Sequence, residues 1–372
     1  MDPVFQSPSG MNKTYPFYIR STVILFGLIL LVYTMLNLRA ILAPLAFAFL
    51  IAVLLNPLTN QLGKWHIPKV LSIILSIIAA FIVISVLAYF ISMEMSKFSD
   101  QMPEFKKRFG TLTEKAQYGI RRQFGIPIRK QNQYISDSEN NLKPILGETV
   151  STVLETISMI ILLPVYSFLF LYYKTLLLDF LYEIFAKENA GEVSVVLDQT
   201  KSAIQHYMFG ILLEALIVAT LNSIALMILG VDYAILLGIL GAILNILPFI
   251  GGILSVALPL LIATVTKDGY QTQLWILVSY MLIQSIDNHF LVPYVVSSKV
   301  KINALASIVI VLLGGALWGL SGMFLSIPLT GVLKIIFDRI PEMQPWGKLL
   351  GTEIPTKHKG QLWMKFRKSR SA

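Results

Sequence analysis

LLGILGAILNILPFIGGILSVALPLLIATVT, residues 236–266, is apolar almost without interruption, yet it carries Gly238, Gly241, Asn245, Pro248, Gly251, Gly252 and Pro259. A simple membrane span needs about 20 apolar residues to cross a hydrocarbon core of about 30 Å. This stretch is half as long again, and Pro-Phe-Ile-Gly-Gly breaks it near its middle. Proline removes a backbone donor and crowds the preceding turn, while glycine admits positive φ. A broken apolar segment is tolerated in a membrane only where the freed backbone is buried in protein or lines a cavity. In secondary transporters such segments point to the binding site.

The surrounding chain fits that reading. Of its 372 residues, 55% are hydrophobic and 14% charged, and the formal net charge is +9. Soluble domains carry about 25% charged residues, so an all-α polytopic membrane protein is expected. The basic residues flank apolar runs instead of gathering on one soluble face, which argues against nucleic acid as a partner. There is no cysteine, so disulfides and thiolate chemistry are excluded. No HExxH pair, phosphate loop or nucleophile motif appears. No enzyme, cofactor or metal site is therefore expected, and ATP-driven transport within this chain is disfavoured. The first apolar run, from Ser21, lacks a small-residue cleavage site and reads as a retained span.

Taken in order, residues 20–37 and 41–57 predict a tight helical hairpin, and 70–92 a third span. Residues 1–92 thus form the N-terminal transmembrane part. Residues 93–147 are polar with apolar positions at helical spacing (Phe98, Met102, Phe105, Phe109), an extramembrane helical insertion whose basic runs read as a solvated face or a contact for lipid head groups. Within 148–207, a fourth span (151–173) ends at Tyr172-Tyr173-Lys174. An amphipathic helix or helix pair follows over 175–206, lying along the membrane surface. Residues 208–340 form the expected transport core: a span at 208–229, the broken stretch, a span at 273–291, and a second overlong stretch from Ile302 to Ile336. This last is interrupted by Gly314-Gly315, Gly319, Gly322 and Pro328. A basic tail occupies 341–372. The total is about eight membrane segments, and the two broken ones read either as spans or as re-entrant hairpins. With the N-terminus inside, hairpins keep Lys299 and Lys301 on the cytoplasmic side. That mildly favours hairpins and makes 208–266 and 273–337 a possible inverted repeat.

The second half resembles the autoinducer-2 exporter (AI-2E) family of bacterial inner-membrane proteins. The resemblance is carried by Pro248-Phe249-Ile250-Gly251-Gly252 with Pro259, by Asp287-Asn288 with Pro293, and by Gly314-Gly315, Gly319, Gly322 and Pro328. It implies an eight-segment secondary transporter in the bacterial inner membrane, assembled as a homo-oligomer, with a pentamer in view, each subunit carrying its own pathway. Members are associated with export of the quorum-sensing signal autoinducer-2, others with exchange of sodium or lithium for protons. The partners expected are a small-molecule or ion substrate and membrane lipid.

Charged side chains at mid-membrane cost about 2.5–3.5 kcal/mol on insertion scales, so each is a functional candidate by default. Glu214 and Asn222 lie on one helix, about 80° apart at 100° per residue. Gln284 and Asp287 lie one turn apart, with Asn288 adjacent. Asp287 suits alternating proton and cation binding; its plainer alternative is a span-end carboxylate paired with Lys299. For Glu214 the plainer alternative is an interfacial salt bridge, for Asn245 a bond to a freed carbonyl, and for His289 an interfacial histidine. Gly238 and Gly241 fit close helix packing. The candidate substrate or ion site is thus Asn245, Pro248, Gly251, Gly252, Glu214, Asn222, Gln284, Asp287, Asn288, Gly314, Gly315 and Gly319.

Overall fold

In the computed structural model, residues 16–133, 162–247, 251–296 and 302–353 are described, with the backbone alone given at 20, 186–190, 295 and 296. Pro248, Lys299 and the tail from 354 lie outside these residues, as does the first half of the expected fourth span, 151–161. The described chain is helical: α1 (Phe17–Asn37), α2 (Arg39–Lys64), α3 (Lys69–Asp100), α4 (Met102–Phe124), α5 (Leu162–Tyr172) and α6 (Lys174–Ile228), then α7 (Ala234–Asn245), α8 (Gly251–Thr266) and α9 (Gln271–Ile286). A π-helical segment, Asp287–Val296, continues α9; α10 (Ala304–Arg339) and α11 (Gln344–Leu350) complete the order. Among the described residues, five helices are long and apolar enough to cross a membrane. The chain is thus an all-α, multi-helix membrane protein.

Three features depart from the simplest reading of the sequence. The expected hairpin of the first two segments does not pack. Leu38 alone separates α1 from α2, and no described side chain of α1 is buried. One residue cannot reverse a helix onto its predecessor, which takes a loop of about 2–5 residues. Second, α3 runs on to Asp100 without a break at 93. Third, α6 is helical over 55 residues, and straight it would be about 82 Å long. Yet Lys201 is near enough to Lys174 to act on its charge. Leu177, Leu178 and Leu181 also share a cavity with Leu197 and Lys201. The chain of α6 therefore doubles back between Leu181 and Leu197. The second limb, Gly191–Ile228, is long and apolar enough to cross a membrane and begins inside the 175–206 stretch expected to lie along the surface.

Both broken stretches are helical hairpins. In the first, Gly251 lies so close to Leu244 and Asn245 that a Cβ would strike the Leu244 carbonyl, and Gly241 faces Ser255. Residues this far apart in sequence touch only if α8 folds back on α7. In the second, α10 bends at Trp318 and Gly319, where Gly319 adopts φ 61°, ψ −140°. A Cβ on Gly314 would come 2.5 Å from the Gly322 carbonyl, and one on Gly315 would come 2.7 Å from Met323 Cε. Glycine is needed at 319 because side-chain-bearing residues avoid that backbone region. It is needed at 314 because two backbones meet there.

Three apolar clusters join these pieces. Leu226, Leu237, Ile262, Ala263, Ile276 and Tyr280 tie α6 through α9 together. Leu50, Ile204, Met208 and Leu325 join α2, α6 and α10, with Phe47 stacked on Phe324 at 5.4 Å. Ala52, Leu55, Ile73 and Leu171 join α2, α3 and α5. Small residues permit the closest approaches: Gly238 lies against the Ser223 backbone and Gly241 against Asn222, as membrane helix packing favours.

Candidate functional site

A cavity of about 750 Å³ opens between α6, the tips of α7 and α8, α9 with its π-helical continuation, and α10. Asp287 sits at its wall, where α9 passes into the π-helix. Such a change of helical pitch frees backbone bonds and re-aims side chains, and it recurs at functional sites. Asp287 is 2% exposed. Its Oδ2 accepts hydrogen bonds from Asn245 Nδ2 at 2.9 Å and Gln284 Nε2 at 3.2 Å. Its Oδ1 is buried with no donor among the described residues.

Opposite stands Glu214, from the second limb of α6, whose carboxyl lies within hydrogen-bonding reach of Asp287. Two carboxylates are both acceptors, so only a proton or a cation between them makes the contact favourable. Among the described residues, no group of three His, Asp or Glu side chains is gathered that could hold a metal ion. The chemistry open to this site is therefore exchange of a proton, or of a cation held by a few oxygens, beside a space large enough for a small solute.

Each polar group is delivered by a local feature of the chain. Asn245 ends α7, and the break after it turns its amide toward α9. Gln284 and Asp287 are three residues apart and share a helix face. At Gly252, a Cβ would lie 2.6 Å from Gln284 Oε1, so the missing side chain makes room for that amide.

Of the twelve residues named from sequence, Glu214, Asn245, Gly252, Gln284, Asp287 and Asn288 line this cavity. Gly251 shapes the α7–α8 tip. Gly314, Gly315 and Gly319 shape the bend of α10 and do not line the cavity, and Pro248 is outside the described residues. Asn222 is 1% exposed and packs beside Gly241 instead of reaching the cavity; its amide atoms have no described partner. The interfacial salt bridge weighed for Glu214 is absent among the described residues: Glu214 stands about 35 Å along the helix from Gly191 and faces Asp287. His289 is exposed, with Nδ1 2.8 Å from the Ser285 carbonyl.

Tyr207, Tyr280 and Ser307 also line the cavity and were not singled out from sequence. The Tyr280 hydroxyl is buried without a described partner. Its spacing of four residues before Gln284 and seven before Asp287 marks the shared face, a signal the sequence did contain.

The sequence matches the family described as AI-2E family transporter over residues 22–342. The chain belongs to the AI-2E transporter family. It is similar to the AI-2 transport protein TqsA of Escherichia coli (strain K12), 24% identical over 319 residues covering 85% of this chain and 91% of that one. It is also similar to YueF of Bacillus subtilis (strain 168), provisionally named a transport protein, at 26% identity over 80% of this chain and 83% of YueF. PerM of Escherichia coli (strain K12), provisionally named a permease, is 27% identical over 82% and 88%. This AI-2E protein is accordingly a multi-pass protein of the bacterial inner membrane, a polytopic transport protein and not an enzyme.

Proposed function

We propose that this protein is a secondary transporter that exports a small polar solute, autoinducer-2 or a related metabolite, coupled to a proton or sodium gradient. One observation carries the reading: the Asp287 and Glu214 carboxyls meet at the wall of a cavity that Asn245, Gln284 and Asn288 also line. A proton or cation bridging the carboxyls would be released when one of them moves. Asn245, on the tip of α7, would pass that movement to the solute space. The cavity volume lies in the range of small-molecule sites, and the name of the relative TqsA supports autoinducer-2 as the solute class.

On this reading residues 208–340 are the transport core, with 93–147 a separate extramembrane insertion. The α7–α8 pair and the bent α10 enter the membrane as re-entrant hairpins. In support, α7 and α8 are about 18 and 24 Å long and the first limb of α10 about 21 Å, all short of the hydrocarbon thickness. The protein works as a homo-oligomer, a pentamer on the family resemblance, each subunit with its own pathway.

A sodium or lithium/proton antiporter is the second reading, favoured by the carboxyl pair itself, which needs no solute to exchange a cation for a proton. The size of the cavity argues for the exporter.

Proteoliposomes under a set sodium or pH gradient separate the two, with autoinducer-2 efflux and internal pH followed in wild type and Asp287→Asn. Efflux that follows the gradient and disappears in the variant is the expected result. Sodium-driven proton movement without solute selects the antiporter. Equal, gradient-independent flux in both proteins rejects coupling through Asp287 and leaves a passive channel; no flux in either leaves a membrane scaffold.

A further inference from the structure

A separate cavity, of about 410 Å³, lies between α2, α5 and the two limbs of α6 and shares no lining residue with the transport cavity. Part of its wall is apolar, formed by Phe49, Phe170, Leu177, Leu178, Leu181 and Leu197, while Ser194 and Thr200 add hydroxyls on the second limb. Lys174 and Lys201 line it as well. Lys174 Nζ donates to Asn56 Oδ1 at 2.9 Å, and Asn56 is itself buried. Lys69 stands beside them, with Nζ donating to the Tyr172 carbonyl at 2.8 Å and lying 5.3 Å from the centre of the Tyr172 ring.

Lys201 and Lys69 each stand close enough to Lys174 to act on its charge. Burial, and then the charges of Lys201 and Lys69, lower the proton affinity of Lys174. Asp198 lines the same cavity, yet no described carboxylate forms an ion pair with any of the three lysines. Like charges gathered at the edge of a hydrocarbon layer, with no ion-paired carboxylate among the described residues, call for an anion. The adjoining Tyr172-Tyr173 pair marks the head-group level, where tyrosine is enriched.

A soluble anion would leave the leucine-lined walls unused, and an uncharged lipid would leave the lysines unpaired. We infer that this cavity is a binding site for an anionic phospholipid, its phosphate held between Lys174 and Lys201 and one acyl chain lying between the limbs of α6 beside Leu178 and Leu181. The site would couple the first limb of α6 to the membrane surface through a lipid molecule instead of through protein packing alone.

Native mass spectrometry of the full-length protein in mild detergent, titrated with phosphatidylglycerol and with phosphatidylcholine of the same acyl chains, tests this. Wild type should retain phosphatidylglycerol in preference. The double variant Lys174→Gln/Lys201→Gln should lose affinity for it roughly thirtyfold, with phosphatidylcholine unchanged. Lys174→Arg/Lys201→Arg should keep binding, which separates loss of charge from misfolding. Leu181→Trp, which fills the slot and spares both lysines, should also lower retention. Undiminished phosphatidylglycerol binding in the glutamine variant, equal retention of the two lipids by wild type, or loss in the arginine variant equal to that in the glutamine variant overturns the inference. Undiminished binding in Leu181→Trp overturns the placement of the acyl chain.

Discussion

Asp287 has two donors on one oxygen and, among the described residues, none on the other. Removing a hydrogen bond to a charged group costs about 1.5–3 kcal/mol. Asn245→Ala should therefore lower gradient-driven flux by about tenfold or more, measured in the same proteoliposomes, while the protein still folds. Gly252→Ala separates positioning from packing. The added Cβ meets only the flexible end of Gln284, so the thermal midpoint should hardly change while flux falls. Gly238→Ala puts the same methyl group 2.6 Å from the Ser223 backbone nitrogen. That site has no room to give, and a loss of about 1–3 kcal/mol in stability is expected, read as a lower melting midpoint in detergent.

At the scale of elements, the two hairpins are made by different means. The α7–α8 tip relies on the break after Asn245 and on close approach at Gly251. The bend in α10 relies on one backbone conformation at Gly319. Gly319→Ala should cost about 1–3 kcal/mol, because a side chain is strained at that φ and ψ, although no atom crowds the position. A drop in thermal midpoint with no new steric contact is the expected outcome; an unchanged midpoint would mean that the bend is not held as described. Among the gathered residues, Asp287 is special for its place in the chain: it begins the π-helical turn and so sits where α9 changes pitch.

For the molecule as a whole, α4 is tied to α3 and to the turn before α7 by aromatic side chains. Phe98, Phe105 and Tyr233 form an aromatic group, and the Tyr233 hydroxyl donates to Gln101 Oε1 at 2.5 Å. Tyr233 lies outside the spanning helices, at φ 59°. Desolvation first, then Asp232, Glu104 and Asp100, raise its proton affinity above the ordinary phenol value of 10.0. A raised acid favours the docked state while it stays protonated, so its contribution is full below pH 10.0 and is lost as the pH rises through the shifted value. Hydrogen exchange should show α4 protected up to about pH 10 and opening above it, whereas Tyr233→Phe should show weaker protection without that step.

Hydropathy, the absence of cysteine, and the proline and glycine punctuation were enough to establish a polytopic helical membrane protein with two broken segments of the AI-2E kind. These are local properties, legible residue by residue, because chain chemistry sets both membrane solubility and backbone freedom. The sequence also named Asp287, Glu214, Gln284 and Asn245, since a polar group inside an apolar run stands out. It did not say which of them meet. In an almost uniformly apolar helix no amphipathic stripe fixes the rotation, because lipid and protein interior are nearly equivalent surroundings. Only the tertiary packing turned Glu214 toward Asp287 and Asn222 away from the cavity, assigned Gly314, Gly315 and Gly319 to a bend instead of a binding wall, and folded α6 back to bring Lys174 beside Lys201.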